Sequence, residues 1–203
     1  MKRIGWVLGW AVPEAWFAPL ARAVLPDSQH AFFPAAPDTL PRISAAGRFD
    51  WLVGYSLGAQ LLLASGTRAE QVALLAPIFA FPREENSGGR MARAQVKLLA
   101  RWLRRDPRAA LTDFYARAGL DVPVAFSVDF SPEVLQWGLA QLETVVLPPA
   151  LPPGWLAWCG ADDALLDTAR LHALVPELAP VPGATHHPGA LLQAYAETVE
   201  ATA

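Results

Sequence analysis

Cysteine is almost missing from this chain of 203 residues, where Cys159 is the only one. A single cysteine excludes an intramolecular disulfide and any multi-cysteine metal centre, and it fits a reducing compartment. Long apolar runs are missing as well. Hydrophobic residues make up 53% of the chain, yet they fall in short segments broken by Gly and Pro. None approaches the roughly 18 uninterrupted apolar residues of a membrane span. The opening residues, Met1 to Leu8, enter a strand pattern directly, without the long apolar stretch and small-residue cleavage site of a signal peptide, so a cytoplasmic location is expected. There is no internal repeat and no low-complexity tract. Only 17% of residues are charged, and with this length the profile is that of one globular domain, residues 1–203, with a single sizeable core.

What is present is an alternation of short apolar segments and helical patterns. Strands are expected at Arg3–Leu8, Gln29–Phe33, Phe49–Tyr55, Gln71–Ile78, Trp155–Cys159 and Leu178–Pro182. Helical spacing runs through Pro13–Val24, Leu57–Ser65, Leu165–Leu174 and Pro188–Thr202, with Pro188 suited to a first helical position. Such alternation implies an α/β fold: a mostly parallel sheet of about six strands flanked by helices. Between about residues 79 and 148 the pattern changes to helices without convincing strands. This stretch reads as a helical lid inserted between core segments 1–78 and 149–203, roofing the carboxyl ends of the strands where ligands bind in such sheets. The Pro-rich stretches Phe33–Pro41 and Leu147–Pro153 read as extended connectors.

The segment Gly54-Tyr55-Ser56-Leu57-Gly58, between an apolar strand and a helical pattern, reads as a nucleophile elbow. Its serine sits on a tight strand-to-helix turn, with glycines where a Cβ would collide with neighbouring elements. The first N–H groups of the following helix, Leu57 foremost, face any negative charge formed at Ser56. A serine hydroxyl is a poor nucleophile until an imidazole accepts its proton, and a carboxylate on the far ring nitrogen fixes the tautomer. An acid after a late strand and a histidine before the last helix are therefore expected, in that order. Asp163 lies in Gly160-Ala161-Asp162-Asp163-Ala164-Leu165, and His186 lies in Ala184-Thr185-His186-His187-Pro188. Asp162 and Asp167 compete with Asp163 but suit turn and helix-start roles, and His187 suits the flank of the last helix. The backbone N–H of Trp10, in the loop after the first strand, is the expected second oxyanion donor beside Leu57. Cys159 reads as a small apolar group at a strand end. Trp10, Trp16, Trp102 and Trp137 either line an acyl pocket or belong to the core.

These stretches, with Leu8-Gly9-Trp10-Ala11 and Trp16, resemble the α/β-hydrolase superfamily. Within it they resemble the pimeloyl-acyl-carrier-protein methyl ester carboxylesterases of biotin synthesis, whose members show similar Gly-Trp-Gly, Gly-Trp-Ser-Leu-Gly, Gly-x-x-Asp-x-Leu-Val-Pro and Ala-x-His-x-Pro patterns. The resemblance implies a compact α/β-hydrolase with Ser56 as nucleophile, Asp163 as acid, His186 as base, and the N–H groups of Trp10 and Leu57 as oxyanion donors. No cofactor or metal is implied. The chain departs from the family in opening at the strand that usually comes third, in Ala11 where a second glycine is usual, and in Ala59 where another glycine is frequent.

Charge points the same way. From Arg83 to Arg117 there are nine basic and four acidic residues, a local excess of five positive charges in a chain of net charge −3. Arg90, Arg93, Lys97, Arg101, Arg104 and Arg108 recur at helical spacings of three and four and are expected to share one face, with Arg105 beside Arg104. Such a face is either a solvated helix surface or a docking site for an acidic acyl carrier protein. The expected activity is hydrolysis of an acyl methyl ester. A thioesterase, a small-ester carboxylesterase and a non-catalytic binding protein on the same scaffold remain alternatives, because fold and triad do not choose the acyl group. Nucleic-acid and membrane partners are not expected.

Overall fold

The computed structural model describes residues 1–66, 69–123, 125 and 130–201, the last by its backbone alone. Its strands are β1 (Arg3–Val7), β2 (Gln29–Phe33), β3 (Trp51–Tyr55), β4 (Gln71–Leu75), β5 (Ala80–Pro82), β6 (Gly88–Met91), β7 (Leu156–Gly160) and β8 (Leu178–Val181). The helices are α1 (Glu14–Val24), α2 (Thr39–Ala45), α3 (Leu57–Ser65), α4 (Arg93–Arg105), α5 (Pro107–Ala118), α6 (Pro132–Thr144), α7 (Thr168–Leu174) and α8 (Pro188–Ala201). Thr202, the expected end of α8, lies outside the described residues.

Six strands form one sheet in the order β2-β1-β3-β4-β7-β8, and every neighbouring pair is parallel. The order reverses direction at β1, which lies between β2 and β3, so the chain's first crossover runs one way and the later ones the other. The loops after β1 and β3 therefore meet at the carboxyl edge, where a crevice forms in such sheets. All five residues of β3 are buried, which explains its unbroken apolar sequence: a central parallel strand has no solvent face.

One side of the sheet is covered by α1 and α8. Tyr195 of α8 stands edge-on to three tryptophans from different strands, Trp6 at 5.6 Å, Trp51 at 5.4 Å and Trp158 at 6.2 Å. Phe17 of α1 packs on Trp6 at 5.7 Å. These large rings fuse helices and sheet into one core. Helix α3 packs against β3 and β1.

The stretch expected to be helical throughout contains two short strands. β5 and β6 form a separate two-stranded sheet, and isolated bridges join Ala80 to Val146 and Gly89 to Leu166. Sequence periodicity cannot show so short a ribbon. Gly89 permits it, because a Cβ there would fall 2.0 Å from the Phe81 carbonyl oxygen. The ribbon joins the two ends of the insertion through Ala80 and Val146 and ties it to the core at Leu166, while α6 packs on β5 and α4 lies against α5 and α6.

Other boundaries moved slightly. Helix α7 starts at Thr168 rather than Leu165, because Leu165 and Leu166 give their N–H groups to Asp163. Helix α2 arises within the expected Pro-rich connector, where the Thr39 hydroxyl accepts from the Ala36 N–H and donates to the Pro34 carbonyl, each at 2.8 Å. Among the described residues no helix is long and apolar enough to cross a membrane.

Candidate active site

Ser56 joins β3 to α3 with φ 55° and ψ −117°, a strained geometry for a residue with a Cβ. Its neighbours make room. A Cβ on Gly58 would lie 2.0 Å from the Val7 carbonyl oxygen, and one on Gly54 would lie 2.6 Å from Ala59 Cα. The Ser56 N–H donates to the Leu75 carbonyl at 2.9 Å, holding the turn to β4.

Three polar side chains distant in sequence meet at this turn. Ser56 Oγ lies 3.0 Å from His186 Nε2, and His186 Nδ1 lies 2.7 Å from Asp163 Oδ2. Asp163 is fully buried, His186 is 2% exposed and Ser56 8%, so the array is shielded from bulk water and its hydrogen bonds act in a low dielectric. Asp163 Oδ1 accepts from the N–H groups of Leu165 at 2.8 Å and Leu166 at 2.9 Å. That leaves Oδ2 for the imidazole, so Nδ1 carries a proton and Nε2 is free to accept from the serine.

The competing residues have other partners. Asp162 is exposed. Asp167 caps α7 by accepting from the Arg170 N–H at 3.0 Å. His187 Nδ1 accepts from the Gly189 N–H at 3.1 Å, capping α8, while its Nε2 is 3.2 Å from Asp121 Oδ1. Trp16 Nε1 donates to the same Asp121 oxygen at 3.2 Å. Asp121, just after α5, thus fastens the middle of the insertion to α1 and to the histidine loop.

The loop after β1 is a turn closed by the Val12 N–H donating to the Gly9 carbonyl at 3.3 Å. Its third residue, Ala11, has φ 54°, a conformation that favours glycine at this turn position. Trp10 and Leu57 each offer a backbone N–H with no acceptor among the described residues; Leu57 is the first residue of α3, where no intrahelical acceptor exists. The Trp10 indole does not line an open pocket. It donates to the Leu135 carbonyl at 2.9 Å, meets Phe114 edge-on at 4.6 Å, and presses on Gly138, where a Cβ would fall 2.3 Å from its Cδ1. The Tyr115 hydroxyl donates to the Ala11 carbonyl at 2.6 Å. Helices α5 and α6 are thereby pinned to the turn.

Cys159 is unreactive but is more than an apolar filler, because it contacts the polar groups behind Asp163. Its Sγ lies 3.1 Å from Thr168 Oγ1 and 3.9 Å from Asp163 Oδ2. The Thr168 hydroxyl donates to the Gly160 carbonyl at 2.5 Å, so the thiol is the donor to Thr168. Burial, with the Asp163 charge nearby, pushes the thiol pKa up to about 12. It stays protonated and is a poor nucleophile. Sequence reasoning also missed Tyr55, whose hydroxyl donates to the His186 carbonyl at 2.7 Å.

The six basic residues expected on one face do not share it, because Arg90 is on β6 and Arg108 on α5, leaving Arg93, Lys97, Arg101 and Arg104 on α4. Arg93 pairs with Glu85 and donates to the Glu143 carbonyl, and Lys97 lies 3.5 Å from Glu143 of α6. Arg104 reaches Gln136 at 3.3 Å. Lys97, Arg101, Arg104, Arg105 and Arg108 are all exposed, and only Arg93 is half-buried. Residues 79–148 as a whole carry nine basic and eight acidic residues, so the positive excess belongs to α4 and α5 alone. Between these helices a crevice of about 130 Å³ is lined by Met91, Leu98, Leu99, Trp102, Phe114 and Leu165 among others. Phe114 touches Trp10, and the Leu165 N–H is held by Asp163, so the crevice abuts the triad's surroundings. A cleft of about 580 Å³ between α1, α2 and the start of α6 contains none of the triad. Among the described residues no group of His, Cys, Asp and Glu side chains could hold a metal ion.

No family model and no curated protein matches the chain. Solved structures do. An esterase from Exiguobacterium antarcticum is similar with a TM-score of 0.77 at 14% identity, over 100% of this chain and 91% of that one. The bottromycin epimerase, solved with bottromycin A2, gives 0.67 at 16% identity over 99% and 90%. An alpha/beta hydrolase from Sphaerobacter thermophilus gives 0.57 at 20% identity over 98% and 92%. The fold is that of the α/β hydrolases. An epimerase among these similar structures means that the residues, not the fold, must carry any statement about the reaction.

Proposed function

We propose that this protein is a serine carboxylesterase that hydrolyses an acyl methyl ester through an acyl-enzyme. The observation that carries the reading is the continuous hydrogen-bonded row from Ser56 Oγ through His186 to Asp163, with contacts of 3.0 and 2.7 Å. Ser56 Oγ attacks the ester carbonyl carbon as its proton passes to His186 Nε2, and Asp163 stabilises the imidazolium. The N–H groups of Trp10 and Leu57 hold the oxyanion, aided by the N-terminal end of α3. Collapse expels the alcohol, methanol here, with the proton returned by His186. Water, activated by the same imidazole, then releases the acid and restores Ser56.

The substrate we propose is a pimeloyl-type methyl ester on an acidic acyl carrier protein, placing the enzyme in biotin synthesis in the cytoplasm. Two observations support a carrier-borne chain. Arg101, Arg104, Arg105 and Arg108 are exposed and suited to an acidic partner, and the apolar crevice near Arg101 and Arg105, walled by Leu98 and Trp102, leads inward toward Leu165. In this reading residues 79–148 act as the lid, with Arg93, Lys97 and Arg104 holding α4 against its neighbours.

The test compares hydrolysis of pimeloyl-carrier-protein methyl ester with that of nitrophenyl butyrate. Cleavage of both by the wild type and neither by Ser56→Ala is expected. Cleavage of the small ester alone would keep the esterase and remove its carrier; turnover by Ser56→Ala would show another nucleophile. The double variant Arg101→Glu/Arg105→Glu should lower kcat/KM on the carrier-bound ester at least tenfold and leave the small ester within twofold.

A further inference from the structure

We infer that Tyr55 is a positioning residue for the base: its hydroxyl, donating to the His186 carbonyl, locks the histidine loop to the strand that carries Ser56. The inference rests on the esterase reading for its kinetic consequence, but its geometry stands alone.

Tyr55 is the last residue of β3 and the immediate neighbour of Ser56. Its phenol crosses from the elbow to a loop 131 residues later and donates to the His186 carbonyl at 2.7 Å. Both residues are buried, at 1% and 2% exposure. The two rings lie 5.6 Å apart, and Phe17 packs on Tyr55 at 5.6 Å, so the phenol has little freedom to find another acceptor. Burial, reinforced by the nearby Asp163 charge, raises its pKa well above the ordinary tyrosine value. It is therefore a hydrogen-bond donor at every working pH.

A bond to the His186 carbonyl fixes the peptide plane that follows His186, and hence where its Cα–Cβ bond points. The imidazole is held at three places: Nδ1 by Asp163, Nε2 by Ser56, and its own backbone by Tyr55. The first two bonds stretch and reform as protons move, whereas the third joins a phenol that keeps its proton to a backbone carbonyl. Small misplacements of a base are costly, since about 1 Å can remove two orders of magnitude in rate. Because Tyr55 and Ser56 are consecutive, the nucleophile and the base take their positions from one rigid strand end.

Tyr55→Phe deletes the hydroxyl and keeps the ring. Tyr195→Phe is the matched control, because Tyr195 Oη is buried and has no partner among the described residues. With nitrophenyl butyrate, Tyr55→Phe should lower kcat about tenfold with KM within twofold, and Tyr195→Phe should leave both unchanged. The low-field NMR resonance of the His186 Nδ1 proton, assigned by its loss in His186→Gln, should broaden and exchange faster in Tyr55→Phe only. Wild-type kcat and an unchanged resonance in Tyr55→Phe, whatever its melting temperature, would overturn the proposal. If the wild type cleaves no ester, the esterase reading fails, and the resonance still decides the role of Tyr55. If Tyr55→Phe does not fold, the wild-type protein decides. Its Tyr55 hydroxyl proton should shift with the same apparent pKa as the His186 ring, and indifference to that titration would overturn the coupling.

Discussion

Ser56 has φ 55° because the turn that exposes its hydroxyl leaves no ordinary backbone region open, and Gly54 and Gly58 absorb the crowding around it. The acid is held as strictly. Since Asp163 Oδ1 takes two backbone N–H groups, Asp163→Asn must keep its carbonyl oxygen there and turn its amide nitrogen toward His186. The imidazole would then carry its proton on Nε2, facing the serine. On the proposed function kcat should fall on the order of 10³–10⁴-fold with little change in melting temperature, measured with nitrophenyl butyrate. Ala11 offers the opposite case. A left-handed alanine costs roughly 1–2 kcal/mol, and glycine loses about 0.5–1 kcal/mol through its unfolded-state freedom. Ala11→Gly should therefore be neutral or stabilising by up to about 1 kcal/mol in denaturant titration. At this scale the serine, and the order Ser, Asp, His, were legible in the sequence. The choice of Asp163 over Asp162 was legible only as a preference, because which carboxylate faces inward depends on a turn closed by Leu165 and Leu166.

Helix α6 shows how an element is placed by one missing atom. A glycine within a helix normally costs about 0.5–1 kcal/mol relative to alanine, so Gly138→Ala would be expected to stabilise. Here the added Cβ would lie 2.3 Å from Trp10 Cδ1 and 3.3 Å from Leu57 Cδ2. Overpacking costs typically about 1–3 kcal/mol and outweighs the helical gain. Gly138→Ala should destabilise by about 1–2 kcal/mol and, on the proposed function, reduce kcat by displacing Trp10, as thermal melts and kinetics would show. The periodicity of α4 was readable from Arg93, Lys97, Arg101 and Arg104, but the partners were not, nor was the break at Pro107 that puts Arg108 on α5. Glu143 lies on α6, distant in sequence, and only the packing of α6 on α4 brings it to Lys97. The ribbon of β5 and β6 was illegible for a related reason: its strands have three and four residues, too few for a period to show.

The whole molecule should respond to pH through His30 at the sheet's edge. Trp6 Nε1 donates to His30 Nδ1 at 2.9 Å, and His30 Nε2 lies 3.0 Å from the Leu25 carbonyl, so the folded protein holds the neutral ring with its proton on Nε2. Burial, with a smaller contribution from the Arg22 charge, lowers its pKa below 6.5 although the Leu25 bond opposes this. The unfolded chain therefore binds a proton at a higher pH than the folded one. The contribution of His30 to stability is fully present above about pH 6.5 and is lost as pH drops from there toward the lowered folded value. Melting temperature should decline between pH 7 and 5, and His30→Gln should flatten that part of the profile. A slope unaffected by His30→Gln would assign the loss to other groups.

The sequence alone determined the alternation that makes a parallel sheet, the elbow with its two glycines, and the order in which acid and base arrive, because each depends on residues close together in the chain. Only the tertiary structure decided what holds those groups: the two N–H groups on Asp163, the thiol and hydroxyl behind it, the Tyr55 bond to His186, the plug of Trp10 against Gly138, and which basic residues of α4 reach α6. All of these are contacts between segments far apart in sequence. Their partners are set by where the strands lie side by side, which no local pattern encodes.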